Sequence, residues 1–142
     1  MTPAGDAGAG AARPAAPCSD ADLYAKHLGI VGSPASPGRG RTEVSLDGRH
    51  LNAAGRVHGG AVFSLADAAI ALAANAAAPE VAVVTASHIQ FLEAVMPGEH
   101  LVAAAECEFR RGRRSGYIVR VTRADELVAV GHGETMDIAH AT

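Results

Sequence analysis

The sequence is poor in cysteine, in charge and in long apolar runs, and each shortage excludes a class of protein. The two cysteines, Cys18 and Cys107, lie far apart, which predicts no disulfide framework. Charged residues make up 19% of the chain and the formal net charge is −3, so nothing indicates nucleic acid or an anionic membrane as a partner. No apolar stretch approaches the roughly 20 residues that span a bilayer.

The beginning of the chain differs in composition from the rest. It lacks the basic start and continuous apolar segment of a secretory signal, so we expect a cytoplasmic protein. Residues 1–19 are almost entirely alanine, glycine and proline and are predicted to be a flexible tail, because they bury too little side-chain surface to offset the entropy of ordering. The chain is 49% hydrophobic overall, and residues 20–142 are long enough for one domain with a substantial core.

Two segments have the spacing of helices. Residues 19–28 carry a short amphipathic pattern with Ser19 as the N-cap. The segment from Gly59 to about Ala77 is rich in alanine and leucine, contains no proline, and repeats apolar residues every 3.6 positions. Asp67 is its only charged residue. This pattern predicts one long helix that is mostly buried.

Strand patterns with a period of two lie on both sides of the long helix. Before it, residues 42–46 alternate and are followed by Asp47-Gly48, a hairpin-turn signal. After it come four runs joined by short links, at residues 81–92, 100–110, 116–123 and 127–137. Short links favour an antiparallel meander. We therefore predict an α+β fold in which a sheet wraps the helix.

Asp67 is the first candidate for chemistry. An ionised carboxylate within an apolar helix costs several kcal/mol unless it is paired or neutralised. The alternative is a structural carboxylate at the edge of a cleft, or one that caps a neighbouring backbone segment. A sequence that keeps such a residue usually uses it, so Asp67 is the predicted catalytic group.

Three residues at the start of the helix could bind a ligand. His58, Gly59 and Gly60 are consecutive. Two glycines allow a ligand to approach the backbone, and the free N–H groups of a first helical turn can hold an oxyanion. The alternative is an ordinary strand-to-helix turn. Asn52, six positions before His58, would by itself be a turn residue.

These residues together resemble a known family. The spacing from Asn52 to His58 and on to Asp67, with the stretch HGGAVFSLADAAIALAANA and the following HIQFLEAVMPGEHLVA, is similar to hotdog thioesterases of the phenylacetic-acid-degradation type. The resemblance runs from about residue 42 to residue 137. It implies a hotdog fold and hydrolysis of acyl-CoA thioesters, including aromatic, phenylacetyl-type acyl groups.

The resemblance also implies roles for individual residues. The backbone N–H of Gly59 would polarise the thioester carbonyl, helped by the positive end of the helix. Asp67 would act as general base on water or as the nucleophile itself. Asn52 and His58 would orient the thioester and the departing thiolate.

Two further implications concern the water and the assembly. Many members of the family place a serine or threonine in the strand after the helix to hold the water, and here Thr85 is the best match, with Ser87 as the alternative. Family members form dimers, commonly paired into tetramers. By that resemblance, Asn52, His58 and Gly59 of one subunit would face Asp67 of another.

A cluster of arginines surrounds Gly112. Arg111, Arg113 and Arg114 could bind the phosphates of CoA, for which the guanidinium group is well suited. The alternative is a solvated turn in which Arg110 or Arg120 pairs across strands with Glu106 or Glu108.

Two other activities fit the sequence less well. A hotdog hydratase or dehydratase needs an acid and a base that reach adjacent carbons, and His58 beside the oxyanion donor is poorly placed for that. A non-catalytic acyl-CoA-binding protein would not need Asp67. No set of His, Cys, Asp and Glu residues has the spacing of metal ligands, so neither a metal nor another cofactor is predicted.

Overall fold

The computed structural model describes residues 22–33, 35–76 and 81–138. Their elements, in chain order, are α1 (Leu23–Leu28), β1 (Val31–Gly32), β2 (Arg39–Ser45), a 3₁₀ helix (Gly48–His50), α2 (Gly59–Asn75), β3 (Val81–Phe91), β4 (His100–Arg111), β5 (Arg114–Arg123) and β6 (Glu126–Ile138). The predicted tail, residues 1–19, lies outside the described residues.

The six strands form one antiparallel sheet in the order β1-β2-β4-β5-β6-β3. Helix α2 contacts all six strands, so the sheet curls around it and the core lies between the two. Buried residues largely alternate with more exposed ones along β2, the first half of β4, and β6, and the buried set faces the helix. The α+β prediction is confirmed.

The predicted meander is correct only for β4, β5 and β6. Strand β3 pairs with β6 instead of its successor β4, whose other edge is occupied by β2. The connection from β3 to β4, residues 92–99, is long enough to cross the end of the sheet. It is fixed there by Val95, which is buried and accepts a hydrogen bond from the N–H of Val57 at 3.0 Å.

Two local predictions were also wrong. Asp47-Gly48 does not form a hairpin turn, because it begins a 3₁₀ helix. The Asp47 carboxylate accepts from the N–H of Arg49, and His50 Nδ1 accepts from the N–H of Asp47. These two hydrogen bonds form a capping box at the start of that helix. Helix α1 begins at Leu23 with Asp22 as its N-cap, the carboxylate accepting from the N–H of Ala25 at 3.0 Å. Ser19 lies outside the described residues.

The inner face of α2 packs on β2 at backbone distance. A Cβ built on Gly40 would lie 2.6 Å from the backbone nitrogen of Ala73, closer than real Cβ atoms approach. Further along the same contact, the Thr42 hydroxyl donates to the carbonyl of Leu65 at 2.8 Å in a fully buried hydrogen bond. The small residues of α2 and β2 therefore set the distance between helix and sheet.

Strands β5 and β6 are joined by a two-residue turn, Ala124 and Asp125. Both residues have positive φ, 46° and 72°, and the flanking pair Arg123 and Glu126 closes the ladder. Positive φ at both central positions is the requirement of a tight hairpin turn whose twist matches that of the strands.

Candidate active site

Asp67 lies on the outer face of α2, half-buried in a groove between α1 and α2. The groove has a volume of about 290 Å³. Apart from Asp67 and Asp22, its walls are mainly apolar or aromatic: Tyr24, Ala25, Ile30, Phe63, Ser64, Ala68 and Ala71. The carboxylate therefore sits where an apolar ligand could lie against it.

Within the described residues, Asp67 receives no hydrogen bond and forms no ion pair. Burial raises the pKa of its carboxyl group above the ordinary value, and the negative charge of Asp22 raises that pKa further. A carboxylate with a raised pKa and unused oxygen atoms is a stronger base than one held by partners. Its environment thus fits a reactive group better than a structural one.

The start of α2 leaves one backbone donor free. His58 is the N-cap, and its Nδ1 accepts from the N–H of Gly60 at 2.8 Å, so that N–H is already used. The N–H of Gly59 has no acceptor among the described residues. Because Nδ1 accepts, a neutral His58 ring carries its proton on Nε2 and presents that N–H as a second donor.

Gly59 and Gly60 also have steric reasons to be glycine. A Cβ on Gly59 would lie 3.2 Å from Cζ of Phe91, and one on Gly60 would lie 2.9 Å from Nδ1 of His58. The ring of Phe91 thus covers the first residue of the helix. The N–H of Gly60 is already bound to His58 Nδ1. Gly60 could therefore help to bind substrate, as predicted, only by leaving space where a side chain would otherwise lie.

Asn52 organises the loop that leads into the helix. Its Oδ1 accepts from the N–H groups of Ala54 and Arg56, at 2.9 and 3.1 Å. The loop is tied to the helix start by the hydrogen bond from the N–H of His58 to the carbonyl of His50, at 2.7 Å. With Oδ1 occupied, the two amide hydrogens of Asn52 are what it can offer to a ligand.

One chain does not bring all these groups together. Gly59 and Asp67 are eight residues apart on the same helix, which separates them by about 12 Å along its axis. An oxyanion donor and a catalytic base must both lie within about 3 Å of one reacting carbonyl group. The two groups of a single chain are therefore too far apart to share one substrate carbonyl.

Thr85 and Ser87 have different surroundings. Thr85 is exposed at a bulge of β3, and its hydroxyl donates to the carbonyl of Glu134 at 3.2 Å. The Ser87 hydroxyl is buried with no partner among the described residues. It faces α2, because a Cβ on the paired Gly133 would lie 3.4 Å from Ser87 Oγ and 2.6 Å from Ile70 Cδ1.

Most of the arginines around Gly112 form ion pairs or hydrogen bonds with other residues of the same chain. Arg110 forms an ion pair with the buried Asp137 and donates to Ser115 at 3.0 Å. Arg113 Nε donates to the carbonyl of Asp137 at 2.9 Å, and Arg114 lies 3.5 Å from Glu134. The alternative in which Arg110 or Arg120 pairs with Glu106 or Glu108 is not observed among the described residues, since Asp137 is the partner of Arg110 and Arg39 pairs with Glu106 at 2.6 Å.

Arg111 differs from its neighbours in this cluster. It is exposed, and its side chain forms no ion pair or hydrogen bond within residues 22–33, 35–76 and 81–138. Of the three arginines predicted to bind substrate, it is therefore the one with its whole guanidinium group available.

Sequence reasoning missed part of the groove. Phe63 precedes Asp67 by four residues, so its place on the same face of the helix could have been predicted. Asp22 and Tyr24 come from the start of another helix and reach the groove only through the packing of α1 on α2. No local pattern signals such a contact.

Two classes of feature are absent from the part of the chain that the structure describes. No helix there has the length and apolar character needed to cross a membrane. No group of three His, Cys, Asp or Glu side chains is placed to hold a metal ion.

Comparison with known proteins identifies the class to which this fold belongs. Residues 54–130, more than half of the chain, match the thioesterase superfamily. A Deinococcus radiodurans protein, whose own assignment as an esterase is provisional, is 40% identical over 111 residues, which are 78% of this chain and 74% of that protein.

Solved structures give the same result. The Escherichia coli PaaI protein from the phenylacetic acid degradation operon has a TM-score of 0.79 at 30% identity, covering 84% of this chain and 87% of that one. The TT0310 protein of Thermus thermophilus has a TM-score of 0.78 at 29% identity, covering 82% and 98%. The predicted hotdog fold is confirmed. The chain belongs to the thioesterase superfamily and is a thioester hydrolase.

Proposed function

We propose that this protein hydrolyses acyl-CoA thioesters to a free acid and CoA, with Asp67 as the catalytic carboxylate. The observation that carries the proposal is the half-buried Asp67 side chain, which lies in an apolar groove without a partner among the described residues. Such a groove suits the acyl part of a thioester, and a carboxylate there suits attack on its carbonyl carbon.

The reaction needs one base or nucleophile and donors for the developing charge. Asp67 either takes a proton from the attacking water or attacks the carbonyl carbon itself, in which case water then hydrolyses the resulting anhydride. Either way the C–S bond breaks and CoA leaves as its thiolate. The free N–H of Gly59 would hold the oxyanion at the positive end of α2, while His58 Nε2–H and the amide of Asn52 would orient the thioester.

The donors and the base would come from different subunits. About 12 Å along α2 separates Gly59 from Asp67 of the same chain, so a second copy must supply the Gly59, His58 and Asn52 that face a given Asp67. Strand β3 is an eleven-residue strand at the edge of the sheet formed by the described residues, and a sheet edge of that length favours pairing with another chain. We propose a homodimer, or a homotetramer of two such dimers.

The remaining predicted site residues have subsidiary roles in this proposal. Arg111 would bind the CoA phosphates, with Arg113 and Arg114 contributing as far as their bonds within the chain allow. Thr85 would hold the attacking water, or Ser87 would, since its hydroxyl has no other partner among the described residues. A preference for phenylacetyl-type acyl groups is proposed from the family resemblance, and cytoplasmic location stays a prediction from the sequence.

The central test is Asp67→Asn, assayed by release of free CoA with a thiol reagent. We expect turnover to fall by about 10²- to 10⁴-fold, the usual cost of removing a general base, while circular dichroism stays unchanged. Asp125→Asn is the matched control, because Asp125 is an exposed aspartate on the β5–β6 turn. Near-normal kcat in Asp67→Asn would refute the assignment.

Mixing two inactive variants tests the shared site. Asp67→Asn and the double variant Asn52→Ala/His58→Ala are refolded together, and hybrid formation is verified by differential tagging. Each hybrid dimer then contains one site with every intact group and one site with all the mutated groups, so we expect about one wild-type site per hybrid. Hybrids with only background activity would mean that the site is built within one subunit or from other residues.

A further inference from the structure

We propose that Tyr24, on the short helix α1, sets the size of the acyl group that the enzyme accepts, an inference that rests on the proposed role of Asp67. Tyr24 lines the same groove as Asp67. It is 66% exposed, so it forms a wall of the groove and contributes little to the core. A side chain in that position can be changed without loss of the fold.

The groove has large walls and a small floor. Tyr24 and Phe63 supply two aromatic rings from the two helices, and the floor along α2 consists of Ala68 and Ala71. Aromatic rings prefer other rings as neighbours, in edge-to-face or offset arrangements. The side chains around the carboxylate therefore favour a flat acyl group over a flexible chain.

The volume of the groove points the same way. A protein cavity of about 150 Å³ is enough to hold benzene, and the groove measures about 290 Å³. One ring with a short linker to the thioester would fit against Asp67. A long straight chain would need more room, and the large groove residue least involved in the core is Tyr24.

Helix α1 holds this wall in place despite having only six residues. Asp22 caps its start, and Gly29 ends it with a left-handed conformation, φ 77°. Its last carbonyl groups are bound by side chains of the 3₁₀ helix: His50 Nε2 lies 2.7 Å from the carbonyl of Leu28, and Arg49 Nη1 donates to that of His27 at 2.9 Å. The backbone that carries Tyr24 is thus held in place without a bound substrate.

The experiment compares Tyr24→Ala, Tyr24→Phe and the control Leu23→Ala on acetyl-, phenylacetyl- and decanoyl-CoA. Leu23 is the neighbouring residue of α1, is 72% exposed and does not line the groove. In Tyr24→Ala we expect the ratio of kcat/KM for decanoyl-CoA to that for phenylacetyl-CoA to rise about 3- to 10-fold, as loss of a ring contact and a wider groove imply. Tyr24→Phe and Leu23→Ala should keep the wild-type ratio.

The outcomes separate this inference from the function on which it rests. If Asp67→Asn is inactive and the Tyr24→Ala ratio is unchanged in protein with wild-type circular dichroism, Tyr24 does not select the acyl group and the proposed function stands. An equal shift in Leu23→Ala would also overturn the inference, because the effect would then belong to α1 in general. An active Asp67→Asn variant would overturn both.

Discussion

The inner and outer faces of α2 differ in how completely their side chains are packed and hydrogen-bonded. On the inner face, Leu65, Ala69 and Ile70 are completely buried, and β2 approaches so closely that Gly40 has no room for a side chain. On the outer face, Phe63 is 37% exposed and Asp67 lies in an open groove without a hydrogen-bond partner in the described chain. The inner face is fully packed within the chain, whereas the outer face is open to a ligand.

This difference separates the face that contributes stability from the face to which we assign activity. Burial raises the pKa of Asp67, so at neutral pH the ionised carboxylate opposes folding. The packing of the inner face offsets that cost. We therefore expect substitutions on the inner face to change stability with little effect on each folded active site, and substitutions on the outer face to do the reverse.

The largest effect on stability should come from Gly40→Ala. The new methyl group would lie 2.6 Å from the backbone nitrogen of Ala73 and would push α2 from β2, at a cost of about 1–3 kcal/mol. Thermal unfolding followed by circular dichroism measures the loss. Gly48→Ala is the control, since nothing lies within 4 Å of a Cβ there. A stable Gly40→Ala variant with reduced kcat would break the division between the two faces.

A smaller effect of opposite sign is expected for Asp67→Asn, whose Tm should rise slightly at pH 7. The pKa of Asp67 is higher in the folded than in the unfolded protein. Protonation of Asp67 therefore stabilises the folded state. This stabilisation is complete below the unfolded pKa and is lost as the pH rises through the folded pKa. The difference in Tm between variant and wild type should therefore shrink as pH falls toward about 3.9, the ordinary value for Asp. A lower Tm for the variant at pH 7 would show that the carboxylate is structural.

The smallest effect should follow Asp22→Asn. Asp22 raises the pKa of Asp67 through its charge, and asparagine keeps the N-cap of α1 because the two residues cap equally well. In the proposed mechanism the carboxylate of Asp67 acts in its ionised form, so lowering its pKa should move the acid limb of the kcat/KM profile to lower pH. The shift should be modest, since burial is the larger cause. An acid limb that stays in place would assign the raised pKa to burial alone.

Sequence periodicity was sufficient for most of the fold. The helix was predicted to begin at Gly59, as it does, and β3 to β6 were located within two residues at each end, because apolar spacing is a local property. The pairing of β3 with β6 was not predictable in the same way. It depends on which sheet edges remain free after folding, and residues 92–99 are long enough to reach more than one of them.

The candidate site divides in a similar way. Asp67 could be identified from the sequence because a single charged residue within an apolar helix is recognisable without knowledge of the fold. The contact of Tyr24 with its groove and the ion pair of Arg110 with Asp137 join residues that are distant in sequence, and neither has a local signature. The resemblance to thioesterases supplied roles for Asn52 and His58 that their types alone would not have suggested.

The β5–β6 turn gives this enzyme room for thermal improvement. Ala124 and Asp125 both adopt positive φ without the help of glycine, and left-handed backbone costs about 1–2 kcal/mol for an ordinary L-residue. Neither residue lines the groove of Asp67. Asn-Gly at these two positions suits such a turn, so an engineer could raise the working temperature there while leaving the hydrolytic chemistry unchanged.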